Sequence, residues 1–427
     1  MDIRDVLDND FNINRKVTEF CCEAEAGLSG QFKHYDKVAE INQLKVLKSM
    51  QKNKLSEAHF SPTTGYGYND LGRDALENIY ADVFKCESAL VRAQIISGTH
   101  ALTLALFGNL KYGDELLSPV GKPYDTLEGV IGIKKTKSSL IEYGITYKQV
   151  DLLEDGSFDY QGIKNAISNK TKLVTIQRSK GYSLRHSLSV EEIGQLIKFI
   201  KSIKADVICM VDNCYGEFVD IIEPSEVGAD IIVGSLIKNP GGGLAPVGGY
   251  IAGKYDFVEN AAIRLTAPGL GFEVGPSLGV TQSFAQGLFM APQIVCGCIK
   301  GAILASTIFE NLGFSVYPNK NEKRSDIVQA IKLQNEKNIV TFCQAIQAAS
   351  AVDSFVKPYP SDMPGYDSKV IMAAGAFVQG SSIELSADAP IKEPFAVYMQ
   401  GGLSYTHSKI ALILAVNNMY ENNLIKL

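Results

Sequence analysis

An α/β fold, with a large domain built on a mostly parallel sheet and a smaller α+β domain at the C-terminal end, is what this sequence predicts. Three observations carry the prediction. Short runs rich in apolar residues, "ALVRAQII" at 89–96, "KLVTIQRS" at 172–179, "ADVICMVDN" at 205–213 and "ADIIVGSL" at 229–236, do not alternate with polar residues. They therefore read as strands buried on both faces. Between two of them lies "SVEEIGQLIKFIKSI" at 189–203, where Ser189 and Glu192 have capping-box spacing ahead of an amphipathic helix. Strand, helix, strand in that order favours parallel pairing with helical cover. Finally, 427 residues exceed what one core usually fills.

Taken in order, residues 1–60 read as a helical, partly charged N-terminal segment ending near a Gly- and Tyr-rich loop, "SPTTGYGYNDLGRD". The large domain is expected over 61–300, with a helix at 74–85 and the strand-helix alternation after it. Composition changes after residue 300. A helical stretch at 322–350, a Pro-rich connection near 357–365 and strand-like runs near 370 and 383 make 301–427 the small C-terminal domain. No internal repeat or low-complexity tract is evident.

Composition narrows the function. Apolar residues are 46% and charged residues 21%, with a net charge of −6. Such a surface offers no electrostatic footprint for nucleic acid or anionic lipid, so a small-molecule substrate is expected. The eight cysteines, at 21, 22, 86, 209, 214, 296, 298 and 343, form no C-x-x-C pair. They read as free thiols in a reducing compartment, with no metal site. The segment "MDIRDVLDND" lacks the apolar core of a leader, and the run "IALILAV" at 410–416 is too short to span a bilayer. The expectation is a cytoplasmic protein without a membrane partner.

In an open parallel sheet, ligands bind beyond the carboxyl ends of the strands, so the residues following each strand are the ones to read. After the first run come Ser97, Gly98, Thr99 and His100, opening a helix whose N-terminus suits an anion, or simply carries an ordinary cap. After "VICMV" comes Asp212, either a turn cap or a buried carboxylate. Beyond "ADIIVGS" stands Lys238, followed by Asn239, Pro240 and three glycines. A lysine at the mouth of a turn is one reading; a carbonyl-capturing nucleophile is the other. A lysine, a carboxylate and an anion site on one sheet edge are the three groups that pyridoxal phosphate requires. Competing motifs are weaker. "GLGFEVG" at 269–275 does not follow a strand, and Ser235-x-x-Lys238 lacks its β-lactamase companions.

The segments "SGTHALTLALFG", "GKPYDTLEGVIG", "VDNCYGEF", "GSLIKNPGGG" and "IELSADAPIKEPFAVYMQGG" resemble the pyridoxal-phosphate lyases described as methionine γ-lyase-like or cystathionine β-lyase-like, also called aluminium resistance proteins. The resemblance runs from about residue 60 to 410. It implies the aspartate-aminotransferase-like fold, fold type I, and a homodimer or homotetramer with shared active sites. It also implies that Lys238 links to the cofactor and later moves the Cα proton, and that Asp212 pairs with the pyridine nitrogen. Tyr215 would bind the ring phenolate, or be a packed tyrosine. Gly98, Thr99 and Ser235, with His100 beside them, would hold the phosphate, and Tyr124 would stack on the ring and protonate a leaving thiolate. Tyr66 or Tyr68 would reach a second subunit's site. Related lyases bind the substrate carboxylate with a C-terminal arginine; here Lys392 stands there, and Arg178, at the sheet edge, is the favoured ligand. The implied activity is carbon–sulfur elimination from a sulfur amino acid, with transamination, aldol cleavage or a non-catalytic cofactor-binding role as alternatives on the same fold.

Overall fold

The structure, a computed structural model, describes residues 3–363 and 368–427. It divides into two units, one formed by Ile41–Ala291 and the other by Met1–Glu40 together with Pro292–Leu427. The last two residues of the expected Pro-rich connection, 364 and 365, lie outside the described residues.

The larger unit is organised by a seven-stranded sheet made of β1 (Ser88–Arg92), β2 (Glu115–Ser118), β3 (Thr146–Gln149), β4 (Thr171–Gln177), β5 (Ile208–Asp212), β6 (Ile231–Ser235) and β7 (Gly249–Gly253). Their order is β1-β7-β6-β5-β4-β2-β3. β6, β5, β4, β2 and β3 pair parallel in succession, and β7 runs antiparallel to both β1 and β6. The four expected strands form. Val190–Ile203 forms the helix between β4 and β5, and its capping box is closed by Glu192 N–H to Ser189 Oγ at 3.2 Å and Ser189 N–H to Glu192 Oε2 at 2.8 Å. The expected helix at 74–85 begins earlier, at Leu71, because Asp70 accepts the Arg73 N–H at 2.9 Å and caps it.

Side chains of Leu90, Leu102, Leu106, Leu116, Leu173, Met210, Ile231, Val233 and Ile251 form the core on one sheet face. Each fully buried aliphatic side chain contributes roughly 1.5–3 kcal/mol. That packing fixes the helix Gly98–Asn109 against the sheet and sets its N-terminus at the strand ends.

The smaller unit holds an antiparallel sheet of β8 (Val316–Tyr317), β9 (Gln329–Lys332), β10 (Val370–Ala374), β11 (Ser386–Pro390) and β12 (Ala396–Gln400), in the order β10-β11-β12-β9-β8. β9 interrupts the helical stretch expected at 322–350, which is helical only over Glu336–Ala348. The expected three consecutive segments with boundaries at 60 and 300 also differ from the observed division. Helix Arg15–Ala26 packs against the C-terminal helix Tyr405–Glu421, where Lys409 pairs with Glu25 and the Asn14 N–H donates to Asn417 Oδ1 at 2.9 Å. Residues 1–40 thus complete the C-terminal unit.

Among the described residues, one helix, Thr281–Asn311, is long and apolar enough to cross a membrane, and most of its apolar stretch is buried within the fold. Polar residues interrupt the run in the sequence, which hides its length. All eight cysteines are free.

Candidate active site

A cavity of about 210 Å³ opens within the larger unit where the sheet meets the N-terminus of helix Gly98–Asn109. Ser97 is extended and accepts the His100 N–H at 3.0 Å, as an N-cap does. The first N–H groups of a helix have no intrahelical acceptor, so this turn offers donors and a positive dipole end to the cavity. Gly98 packs closely on the strand ends: a Cβ there would lie 3.3 Å from Ser235 Cβ and 3.5 Å from Cys214 Sγ. Thr99 adds a hydroxyl, 2.7 Å from that of Thr126. Ser235, the last residue of β6, is buried and lines the same corner.

Asp212 ends β5, where parallel register sets it beside Gln177 of β4 and Val233 of β6. All three face the cavity side, and two residues beyond Val233 comes Ser235. The Asp212 carboxylate is buried and accepts the Cys214 N–H at 3.1 Å. Burial pushes its pKa up, and the Lys238 ammonium opposes that push. Lys238 itself leaves β6 through a tight turn in which its N–H donates to Ser235 O at 3.3 Å and its carbonyl accepts the Gly241 N–H at 3.2 Å. Its Nζ stands 4.0 Å from the centre of the Tyr215 ring. Burial disfavours the ammonium, the neighbouring Asp212 carboxylate favours it, and the Lys238 pKa stands well above the ordinary lysine value.

Tyr215 adopts a left-handed backbone, φ 71°, uncommon for a residue with a side chain and concentrated at functional positions. Tyr124 precedes helix Asp125–Ile131 and lines the same cavity, its ring 6.4 Å from that of Tyr182. Gly98, Thr99, Tyr124, Asp212, Tyr215, Ser235 and Lys238 are thus brought together around one cavity.

Other candidates lie elsewhere. His100 turns back on the chain ahead of its helix, its Nδ1 accepting the Ile96 N–H at 3.2 Å, and burial lowers its pKa. Tyr66 and Tyr68 stand 72% and 56% exposed on their loop, their rings 5.6 Å apart. Lys392 lies in the smaller unit, exposed in the turn between β11 and β12. Arg178 corrects the expectation of a substrate ligand. It is 1% exposed, donates to Asn213 Oδ1 at 2.8 Å and faces Glu223 at 3.6 Å. Side-chain alternation continuing past the end of β4 explains this: Gln177 and Ser179 line the cavity, and Arg178 between them takes the opposite face.

Gln177, Ser179, Thr126 and Cys214 also line the cavity without having been foreseen. The period of two around Arg178 was the available signal. Cys214 is a buried thiol whose pKa is pushed well above its ordinary value, first by burial and then by Asp212.

The family model described as methionine gamma-lyase matches residues 17–420. An uncharacterized protein of Bacillus subtilis strain 168, YnbB, is 51% identical over 405 residues, 94% of this chain and 96% of its own length. The crystal structure of a carbon-sulfur lyase involved in aluminum resistance from Clostridium novyi NT is 50% identical, with a TM-score of 0.94 over 98% of this chain and 99% of that one. The pyridoxal-5'-phosphate dependent protein YhfS from Escherichia coli shares the fold at 17% identity, with a TM-score of 0.59 over 90% of this chain and 96% of its own. The fold is that of the fold type I pyridoxal-phosphate enzymes.

Proposed function

Because the chain belongs to the methionine gamma-lyase family, we propose that it is a pyridoxal-phosphate-dependent carbon–sulfur lyase acting on a sulfur-containing amino acid by β- or γ-elimination. The observation that carries this reading is the meeting of a buried lysine, a buried carboxylate and a helix N-terminus in one cavity, Lys238, Asp212 and Ser97–Thr99. The donor set fits the cofactor: a helix start and hydroxyls for phosphate, an amine for the aldehyde, a carboxylate for the pyridinium.

When bound, pyridoxal phosphate supplies an electron sink for the pair left at Cα. Thr99 and Ser235 would hold its phosphate, and Asp212 would keep its ring nitrogen charged. With the cofactor in place, Lys238 would be the base that takes the Cα proton. Tyr124 donates a proton to the departing sulfur, so the thiol leaves neutral; hydrolysis of the remaining enamine gives a 2-oxo acid and ammonia. The reading includes a homo-oligomer in which Tyr66 and Tyr68 reach a second copy's site, and their exposure supports it.

The test is release of thiol and 2-oxo acid from a panel of sulfur amino acids, by the protein and by Lys238→Ala. The expectation is turnover with at least one substrate and its loss in the variant. Undiminished turnover in Lys238→Ala, or conversion of the cofactor to its amine form without ammonia release, contradicts it.

A further inference from the structure

Beneath the cavity floor, on the opposite face of the large sheet, lies a second polar cluster that the proposed reaction does not use. Arg178 and Asn213 come from the positions between cavity-facing ones, and Tyr250 of β7, Glu217 and Glu223 close the cluster. Glu217 is fully buried. Its Oε1 accepts the Tyr250 hydroxyl at 2.9 Å, and its Oε2 has no hydrogen-bond partner among the described residues. Gly234 of β6 makes room for it, since a Cβ there would lie 2.5 Å from Glu217 Oε1. The Glu217 carbonyl accepts Asn239 Nδ2 at 3.0 Å, so this residue also grips the one next to Lys238.

We propose that Glu217 is a positioning residue for the reaction: by taking up or releasing a proton beneath the sheet, it governs how firmly Lys238 holds its own proton. The inference rests on the functional reading above. The ionisable groups facing Glu217 are Tyr80, Cys214, Glu223, Lys238 and Tyr250, with Arg178 paired to Glu223. Burial, reinforced by the Glu223 charge, pushes Glu217 to about 8, while the Tyr250 hydrogen bond and Lys238 oppose the push. Glu217 is therefore neutral at pH 7 and becomes anionic through mildly alkaline pH. The new negative charge then favours a protonated nitrogen on Lys238, and by linkage a charged Lys238 favours an ionised Glu217. Tyr80, Tyr250 and Cys214 stay neutral through that range, since burial holds each of them well above its ordinary value.

The experiment loads the full chain and Glu217→Gln with pyridoxal phosphate and titrates the visible absorption band of the Lys238-linked cofactor across neutral and alkaline pH. Glutamine keeps the shape and the acceptor for Tyr250 but cannot ionise. The band's midpoint is expected to fall by roughly half to one pH unit in Glu217→Gln. Tyr250→Phe, which removes the bond favouring the ionised carboxylate, should shift it the same way by less, and decides the matter if Glu217→Gln does not fold. Coincident midpoints in the wild type and the folded variants, with the band present in each, overturn the inference alone. Absence of the band from the wild type overturns the functional reading and this inference with it.

Discussion

Replacing Arg178 by Met separates a structural from a substrate-binding role. The guanidinium and the Glu223 carboxylate are each 1% exposed, so the substitution leaves Glu223 buried opposite an apolar chain. Removing one partner of a buried ion pair costs about 3–5 kcal/mol. The 3.6 Å separation and the absence of a hydrogen-bond partner for Arg178 Nε among the described residues put this case at the low end, about 3 kcal/mol or roughly a hundredfold in the unfolding equilibrium. Urea denaturation followed by circular dichroism is the suitable assay, since the chain contains no tryptophan. The pH dependence has a defined sign. Burial raises the Glu223 pKa in the folded state above its unfolded value, so the native protein holds the extra proton and stability falls as pH rises through that window. Without Arg178 the folded value rises further. The deficit of Arg178→Met is therefore largest above the window and shrinks on acidification. An unchanged denaturation midpoint together with a KM raised many-fold for the amino-acid substrate would refute this reasoning and return Arg178 to the substrate carboxylate.

Gly241→Ala places a Cβ 1.7 Å from the Leu236 carbonyl in the turn that aims Lys238. It should cost about 1–3 kcal/mol in denaturation and weaken cofactor binding measured by absorbance; equal affinity would show that the turn does not orient the lysine. Cys214, its thiol held neutral by burial and Asp212, should escape iodoacetamide in the native protein at pH 8 and react after unfolding, as read by peptide mass spectrometry. Rapid native labelling would contradict the burial argument.

Lys238, Asp212 and the turn at Ser97–Thr99 were legible because a parallel sheet gathers its strand ends on one edge, and residues just after apolar runs are local features. Arg178 was misread for a related reason. Being at a strand end says nothing about which face a side chain takes, and alternation gives the face only once a neighbour is anchored, as Asp212 anchors Gln177 through register. Glu217 carries no periodic signal, since it lies in irregular chain beyond β5, and its importance comes from Gly234 and Tyr250, far along the sequence. β7 is short and glycine-bounded, and β9 reads equally well as helix, so both fall below what short apolar runs can decide. The joining of residues 1–40 to the C-terminal unit depends on contacts such as Glu25 with Lys409, which no local pattern encodes.

The most direct test of the central claim is borohydride reduction of the protein loaded with pyridoxal phosphate, followed by peptide mapping. The account predicts a visible band that reduction abolishes and a single pyridoxyl group on Lys238. A protein that forms no such band, or carries the label on another lysine, would contradict it.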